Sequence, residues 1–179
     1  MERILHHRNI APALCLTLLL AAVALCGWRV DNLQLRTREG EVLFSAPTRL
    51  GEHFTTFYIH SVELTPVEDE YTVIDGRIWS WQERVKSSNA GMPYVLPQEG
   101  SYFLRDGWMV YQGGRLNWKT FYLRVGNERF GKNRFELAPY GTTELYKILP
   151  GMQLGVTAER KPLWQSTTAG ISRIFPAYH

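Results

Sequence analysis

The segment most suited to chemistry runs from His60 to Glu70, His-Ser-Val-Glu-Leu-Thr-Pro-Val-Glu-Asp-Glu. It holds an imidazole, two hydroxyls and four carboxylates within eleven residues. An apolar strand leads into His60, Ser61 and Glu63 and breaks at Thr65-Pro66, since proline donates nothing to a ladder. It resumes through Glu68, Asp69 and Glu70. If the two arms pair antiparallel across a two- or four-residue loop, Glu63 faces Glu68 and Ser61 faces Glu70. Opposed carboxylates repel and need a cation, a shared proton or full solvation. A three-residue loop sets His60 against Glu70 instead. Both registers gather ionisable groups at the hairpin mouth.

Three kinds of chemistry fit these residue types. The hairpin could bind a partner surface or an ion. His60, Glu63 and Glu68 could hold a divalent cation, although three N/O ligands at this spacing match no strong metal signature. A hydrolase would use Ser61 or a metal-bound water as nucleophile, His60 as base and Glu63 or Glu70 as the orienting carboxylate, all in hydrogen-bond reach. Neighbouring residues of a strand point to opposite faces, which opposes a Ser61–His60 pair. The plainer alternatives are an ordinary hydrogen-bonded His60, a Glu63 paired with Arg77 or Arg84, and acids at Glu68–Glu70 that solvate an edge strand, in a structural envelope protein without ligand. No cofactor is predicted. A second candidate is the small-residue loop Asn89-Ala90-Gly91-Met92-Pro93, where Gly91 and Pro93 would let a ligand approach the backbone closely. Trp79 and Trp81 alternate onto one face of their strand and are expected in the core.

The elements that must position these groups read as β-structure. Expected strands are Asn32–Arg38, Glu41–Ser45, Phe54–Val62, Val67–Ile74, Arg77–Val85, Ser101–Arg105, Trp108–Gln112, Thr120–Val125, Arg134–Ala138, Thr143–Leu149 and Gln153–Ala158. Glu39-Gly40, Asp75-Gly76, Asp106-Gly107 and Gly113-Gly114 punctuate them and supply the positive φ of tight hairpins. Thr143–Leu149 alone also suits a short helix or turn. Many short strands at near-regular spacing predict an all-β domain, an antiparallel sandwich or a partly open barrel, after one N-terminal hydrophobic helix. The expected organisation is a signal peptide or membrane anchor over 1–28, a β-rich domain over 29–158 and an irregular extension over 159–179.

Arg3, His6, His7 and Arg8 precede the apolar run Ile10–Cys26, interrupted only by Pro12 and Thr17. A short basic flank before such a run predicts a signal peptide or an anchor. The flank stays in the cytoplasm and the domain lies outside it. Trp28 extends the run with an interfacial residue and favours the anchor. Ala22-Val23-Ala24 would serve as a cleavage site, releasing the domain to the periplasm. Leu25 is too bulky for a lipidation box ending at Cys26.

The 179 residues are 45% hydrophobic and 13% aromatic, enough for one packed domain. The net charge is +3. Without residues 1–26 the balance is 18 basic to 16 acidic side chains, with none of the basic concentration that nucleic acid needs. Both cysteines, Cys15 and Cys26, lie in the apolar run, so the domain folds without disulfides or thiolate ligands.

His60-Ser-Val-Glu-Leu-Thr-Pro-Val-Glu68, followed by Tyr71, resembles the signature of a small bacterial family, domain of unknown function 1850. Ala90-Gly91-Met92-Pro93, Asp106-Gly107-Trp108 and Leu123-Arg-Val-Gly126 follow in the expected order, and the resemblance spans roughly Leu33 to Ala158. The chain departs from the pattern at Ser87-Ser88-Asn89, where a run richer in glycine and phenylalanine is expected. It departs again at Phe135-Glu136-Leu137, in place of a histidine-bearing strand. The resemblance implies an association with TAXI-type TRAP transporters, beside which such proteins tend to be encoded or to which they are fused. Those transporters import organic acids with a periplasmic substrate-binding protein. No activity comes with the resemblance. The expectation is an accessory module at the cytoplasmic membrane, exposed outside it, that binds through His60–Glu70.

Overall fold

The computed structural model describes residues 3–87, 99–166 and 168–176. It opens with helix α1, Arg3–Gly27, whose described side chains from Pro12 onward are all exposed. Leu14, Leu16, Leu18, Leu19, Leu20, Val23 and Leu25 ring the helix without burying a face. The one hydroxyl, Thr17, donates to the carbonyls of Ala13 (3.1 Å) and Leu14 (2.8 Å), so the run offers no polar stripe. Among the described residues, no helix is long and apolar enough to cross a membrane.

From Arg29 the chain is mostly antiparallel sheet, because apolar residues recur at period two between turns. The strands are β1 Arg29–Thr37, β2 Val42–Thr48, β3 His53–Ile59, β4 Pro66–Ile74, β5 Arg77–Val85, β6 Gly100–Arg105, β7 Trp108–Gly113, β8 Asn117–Trp118, β9 Thr120–Arg124, β10 Gly131–Leu137, β11 Gly141–Thr143 and β12 Gln153–Pro162. They form two open sheets, one ordered β2-β1-β12-β9 and one ordered β11-β10-β3-β4-β5-β7-β6, with β8 also on β5. The sandwich therefore holds, and the barrel alternative does not. Asp75-Gly76 and Asp106-Gly107 make the expected two-residue turns, with φ of 54° and 69° and of 51° and 73°. The Asp31 carboxylate on β1 accepts the backbone N–H groups of Asp75 (3.0 Å) and Gly76 (2.7 Å), fastening one sheet to the other.

The core lies between the sheets. Leu33, Leu35, Phe44, Leu154 and Val156 of the smaller sheet meet Phe54, Val73, Ile78, Phe135 and Leu137 of the larger, all nearly without exposure. Trp79 and Trp81 do not join this core. A bulge opposite Glu70 and Tyr71 makes Trp81 the extra residue on β5, and its ring meets His53 edge-on at 5.4 Å. Ile78 takes the inward phase of β5, so Trp79 falls on the outer face, and the bulge sets Trp81 apart from the alternation.

Two segments differ from the sequence reading. Thr143–Leu149 divides into the end of β11 and a short helix α2, Leu145–Ile148. Beyond Ala158 the ladder with β1 continues to Pro162, and after a 3-10 turn, Leu163–Gln165, helix α3, Ile171–Ile174, closes one end of the sandwich. Ile174 and Phe175 are buried there, Phe175 edge-on to Phe44 at 5.3 Å. The close approach depends on Gly170 at φ 70°: a Cβ would lie 2.0 Å from the Leu43 carbonyl oxygen.

Candidate functional site

The hairpin between β3 and β4 takes neither expected register. Ile59 pairs with Pro66, Phe57 with Glu68 and Thr55 with Glu70. Strand β3 thus ends three residues before Val62, and His60–Thr65 form a six-residue loop. Its geometry is local. His60 N–H donates to the Thr65 carbonyl (2.8 Å), and Leu64 N–H, at φ 54°, donates to the His60 carbonyl (2.9 Å). The bend satisfies backbone groups that a longer ladder would have used, and Pro66 takes the first strand position, where its missing N–H is tolerated.

This loop separates the expected partners. His60 Nδ1 accepts the backbone N–H of Glu63 at 3.2 Å. The Glu63 carboxylate turns instead to Ser87, whose Oγ donates to it at 2.9 Å. Glu63 and Glu68 do not face each other, Ser61 does not face Glu70, and neither Arg77 nor Arg84 is the partner of Glu63. Among the described residues, no group of three or more His, Cys, Asp or Glu gathers to hold a metal, so His60, Glu63 and Glu68 do not form the trio considered from the sequence. His60 and Ser61 instead line a shallow groove of about 570 Å³ against Gly126 and Gly131. Gly91 and Pro93 lie outside the described residues.

The three acids beyond Pro66 are divided by the pleat of β4. Glu68 and Glu70 point to the outer face of the larger sheet, where each has a partner. Arg84 reaches Glu68 at 2.8 Å. Gln82 Nε2 donates to Glu70 at 2.7 Å, and His53 Nδ1 lies 2.7 Å from the same carboxylate. With Thr55, Phe57, Arg134 and Glu136 these residues border a polar hollow of about 410 Å³. The Arg134 guanidinium stacks over the Phe57 ring at 3.7 Å. Strand β4 lies in the interior of its sheet, between β3 and β5, so these acids do not guard an edge as the solvated-edge alternative required.

Asp69 points the other way, into the space between the sheets. Its cross-strand neighbours are Thr56 on β3 and Glu83 on β5, and Glu83 in turn pairs with Tyr111 on β7. A cavity of about 290 Å³ opens at Asp69, walled by Thr56, Tyr58, Tyr71, Phe121, Leu123 and Leu145. Burial, then the charge of Glu83, push the Asp69 carboxyl up to about 7, while the Thr56 hydroxyl favours the ionised form. Burial also raises Glu83. Burial, then Asp69, then Glu83, push the Tyr58 phenol up to about 12. Tyr71 rises as well, from burial first and Asp69 second. The inner face therefore joins two carboxylates, three phenols and a hydroxyl in a poorly hydrated setting. Such a group can hold a proton near neutrality or receive a ligand that replaces lost water.

Asp69, Glu83, Tyr58 and Tyr71 were not singled out in the sequence, although a signal was present. Val67, Asp69, Tyr71 and Val73 share one phase of the strand, so Asp69 occupies an apolar position. The hairpin reading treated Glu68, Asp69 and Glu70 as one cluster and missed the alternation within it.

Comparison with curated proteins and with solved structures finds no match. A family model matches residues 54–138, from β3 to the end of β10, a shorter span than Leu33–Ala158. It contains the hairpin, both faces of β4 and all of β5, and it excludes β1, β9's partner β12 and the C-terminal closure. Over residues 54–138 the chain matches the model of the family described as Domain of unknown function (DUF1850).

Proposed function

We propose that this chain is a non-enzymatic accessory module of the bacterial envelope, held at the cytoplasmic membrane by α1 and displaying its β-sandwich on the periplasmic side. It serves a TRAP-type (TAXI) transporter of organic acids. The observation that carries the membrane part is α1, whose described side chains expose apolar surface on every side. A helix that is apolar all round needs lipid or protein cover. The basic flank at Arg3 and Arg8 supports the orientation. The transporter link rests on the family resemblance.

The partner contact lies on the outer face of the larger sheet rather than at the tip of the hairpin. Glu68 and Glu70 alternate there with Arg84 and Arg134 around one hollow, a pattern of both signs that suits an oriented protein contact. Crosslinking and affinity capture of the tagged chain from native membranes test this. Transporter subunits are expected with the wild type, and at least tenfold less with a Glu68→Ala, Glu70→Ala variant of unchanged circular dichroism. Equal recovery would move the interface elsewhere, and recovery of no transporter subunit by the wild type would end the accessory reading.

A further inference from the structure

The cavity on the inner face goes beyond that reading. Asp69 and Glu83 are direct cross-strand neighbours, an arrangement that costs stability unless something offsets it. Several other acids of this domain have cations: Glu68 has Arg84, Asp75 has Arg160, Glu159 has Arg36 and Lys161, and Glu41 has Arg173. Among the described residues, no ion pair involves Asp69 or Glu83. The basic residues nearest the cavity do not fill the gap. Arg134 is stacked on Phe57 at the outer face, and Arg124 is exposed on β9. Residues 88–98 contain no charged side chain.

Much of the wall beside Asp69 is aromatic, with Arg124, Asn133 and Arg134 also lining the cavity. Tyr58, Tyr71 and Phe121 border the cavity, and Tyr71 and Phe121 stack at 4.9 Å. Aromatic faces beside a carboxylate attract an organic cation, and the weak hydration of a quaternary ammonium lowers the cost of its transfer from water. A hard divalent ion would require six or more oxygen ligands, and this wall is mostly carbon. An anion would meet the Asp69 carboxylate, with Glu83 behind it on the next strand. The volume, about 290 Å³, lies at the lower end for ligand pockets and limits the guest to a small molecule.

We propose that the cavity between the sheets binds a small organic cation, an alkylammonium or quaternary ammonium group, held by the Asp69 carboxylate against Tyr58, Tyr71 and Phe121, with Glu83 as the second negative charge. The groups that face Asp69 set the pH dependence. Thr56 and Tyr58 stand on β3, Tyr71 on β4, Glu83 on β5 with Tyr111 behind it on β7, and Arg124 and Arg134 at the rim on β9 and β10. Binding requires ionised Asp69, whose carboxyl titrates near pH 7, so affinity rises with pH across neutrality.

Calorimetric titration of the full-length chain in non-ionic detergent tests the site with tetramethylammonium and propylammonium chloride as probes. The control is tert-butyl alcohol, which has a similar shape and no charge. At least one ammonium probe is expected to bind at pH 8 and about tenfold more weakly at pH 6, from the change in ionised Asp69. Asp69→Asn is expected to lose at least tenfold in affinity, and Glu68→Gln, one residue away on the outer face, to keep it. Equal binding of tert-butyl alcohol would mean a merely apolar cavity and overturn the proposal. So would unchanged affinity in Asp69→Asn. Absence of binding by both ammonium probes at pH 8 would leave two carboxyls sharing a proton without a guest, and would overturn it too. None of these results depends on which membrane partner is captured.

Discussion

The two faces of β4 answer the same electrostatic problem differently. Glu68, Asp69 and Glu70 are consecutive, yet the pleat sends the outer two to a face with Arg84, Gln82 and His53, and the middle one to a face with Glu83 and three tyrosines. On the outer face the charges are matched and partly hydrated, which makes it a surface of modest energetic consequence. On the inner face they are unmatched and poorly hydrated. Such an arrangement lowers stability, and proteins retain it where a proton or ligand is handled. The contrast locates function better than the density of acids does, since both faces have carboxylates and only one lacks their complement.

The largest test of the contrast compares two phenylalanines three residues apart on β3. Phe54 is buried among Tyr71, Phe121 and Phe135, with ring centroids 5.1 to 6.5 Å away. Phe57 lies on the outer face under Arg134. Phe54→Ala should cost about 3–5 kcal/mol, and Phe57→Ala about 1 kcal/mol, measured by urea unfolding of the full chain. Similar costs would mean that the outer face is packed as a second core.

The second test removes the inner charge. Asp69→Asn should stabilise the chain at pH 8 by roughly 2–4 kcal/mol and change little at pH 4. In the folded chain the Asp69 midpoint is raised from its ordinary 3.8 to about 7. Below pH 4 the carboxyl is neutral in both folded and unfolded chains. Between 4 and 7 only the unfolded chain ionises, so the wild type loses stability as pH rises, and the loss is complete above 7. Glu83 shares this titration, which spreads it over a wider range. Thermal melts of both proteins from pH 4 to 8 should converge at the acid end. Parallel curves would show that Asp69 is ionised throughout and matched by a charge.

Much of the fold was legible because it depends on period-two alternation and on turn chemistry that the chain displays openly. Arg77–Val85 has the same limits in sequence and structure, and both Asp-Gly turns have left-handed pairs of residues. The hairpin was less legible. Its register depends on six residues bending so that His60 and Thr65 close the loop, and no spacing rule selects that bend over a tighter one. The position of β4 between β3 and β5 is likewise a property of the assembled sheet, so a run of acids could be taken for an edge. The pairing of Asp69 with Glu83 required two registers at once, β3–β4 and β4–β5, and the second contains a bulge. The phase of Asp69 among Val67, Tyr71 and Val73 needed neither and was available from the sequence.

The smallest predicted effect concerns the outer pair. Glu68 and Arg84 meet at 2.8 Å with side chains 24% and 34% exposed, so water still screens them. Their attraction is reduced further because Arg84 Nε is buried without a hydrogen-bond partner among the described residues, and its desolvation offsets part of the gain. A double-mutant cycle with Glu68→Gln and Arg84→Met should therefore give a coupling of only about 0.5–1 kcal/mol. The coupling should shrink further in 1 M salt, where the screening length falls to about 3 Å. Asp69→Asn should be far less sensitive to salt, because ions reach the inner face poorly. If the outer coupling matched or exceeded the Asp69 effect and resisted salt, the outer face would be the desolvated one, and the search for a bound ligand would move from the inter-sheet cavity to the hollow between Glu68 and Arg134.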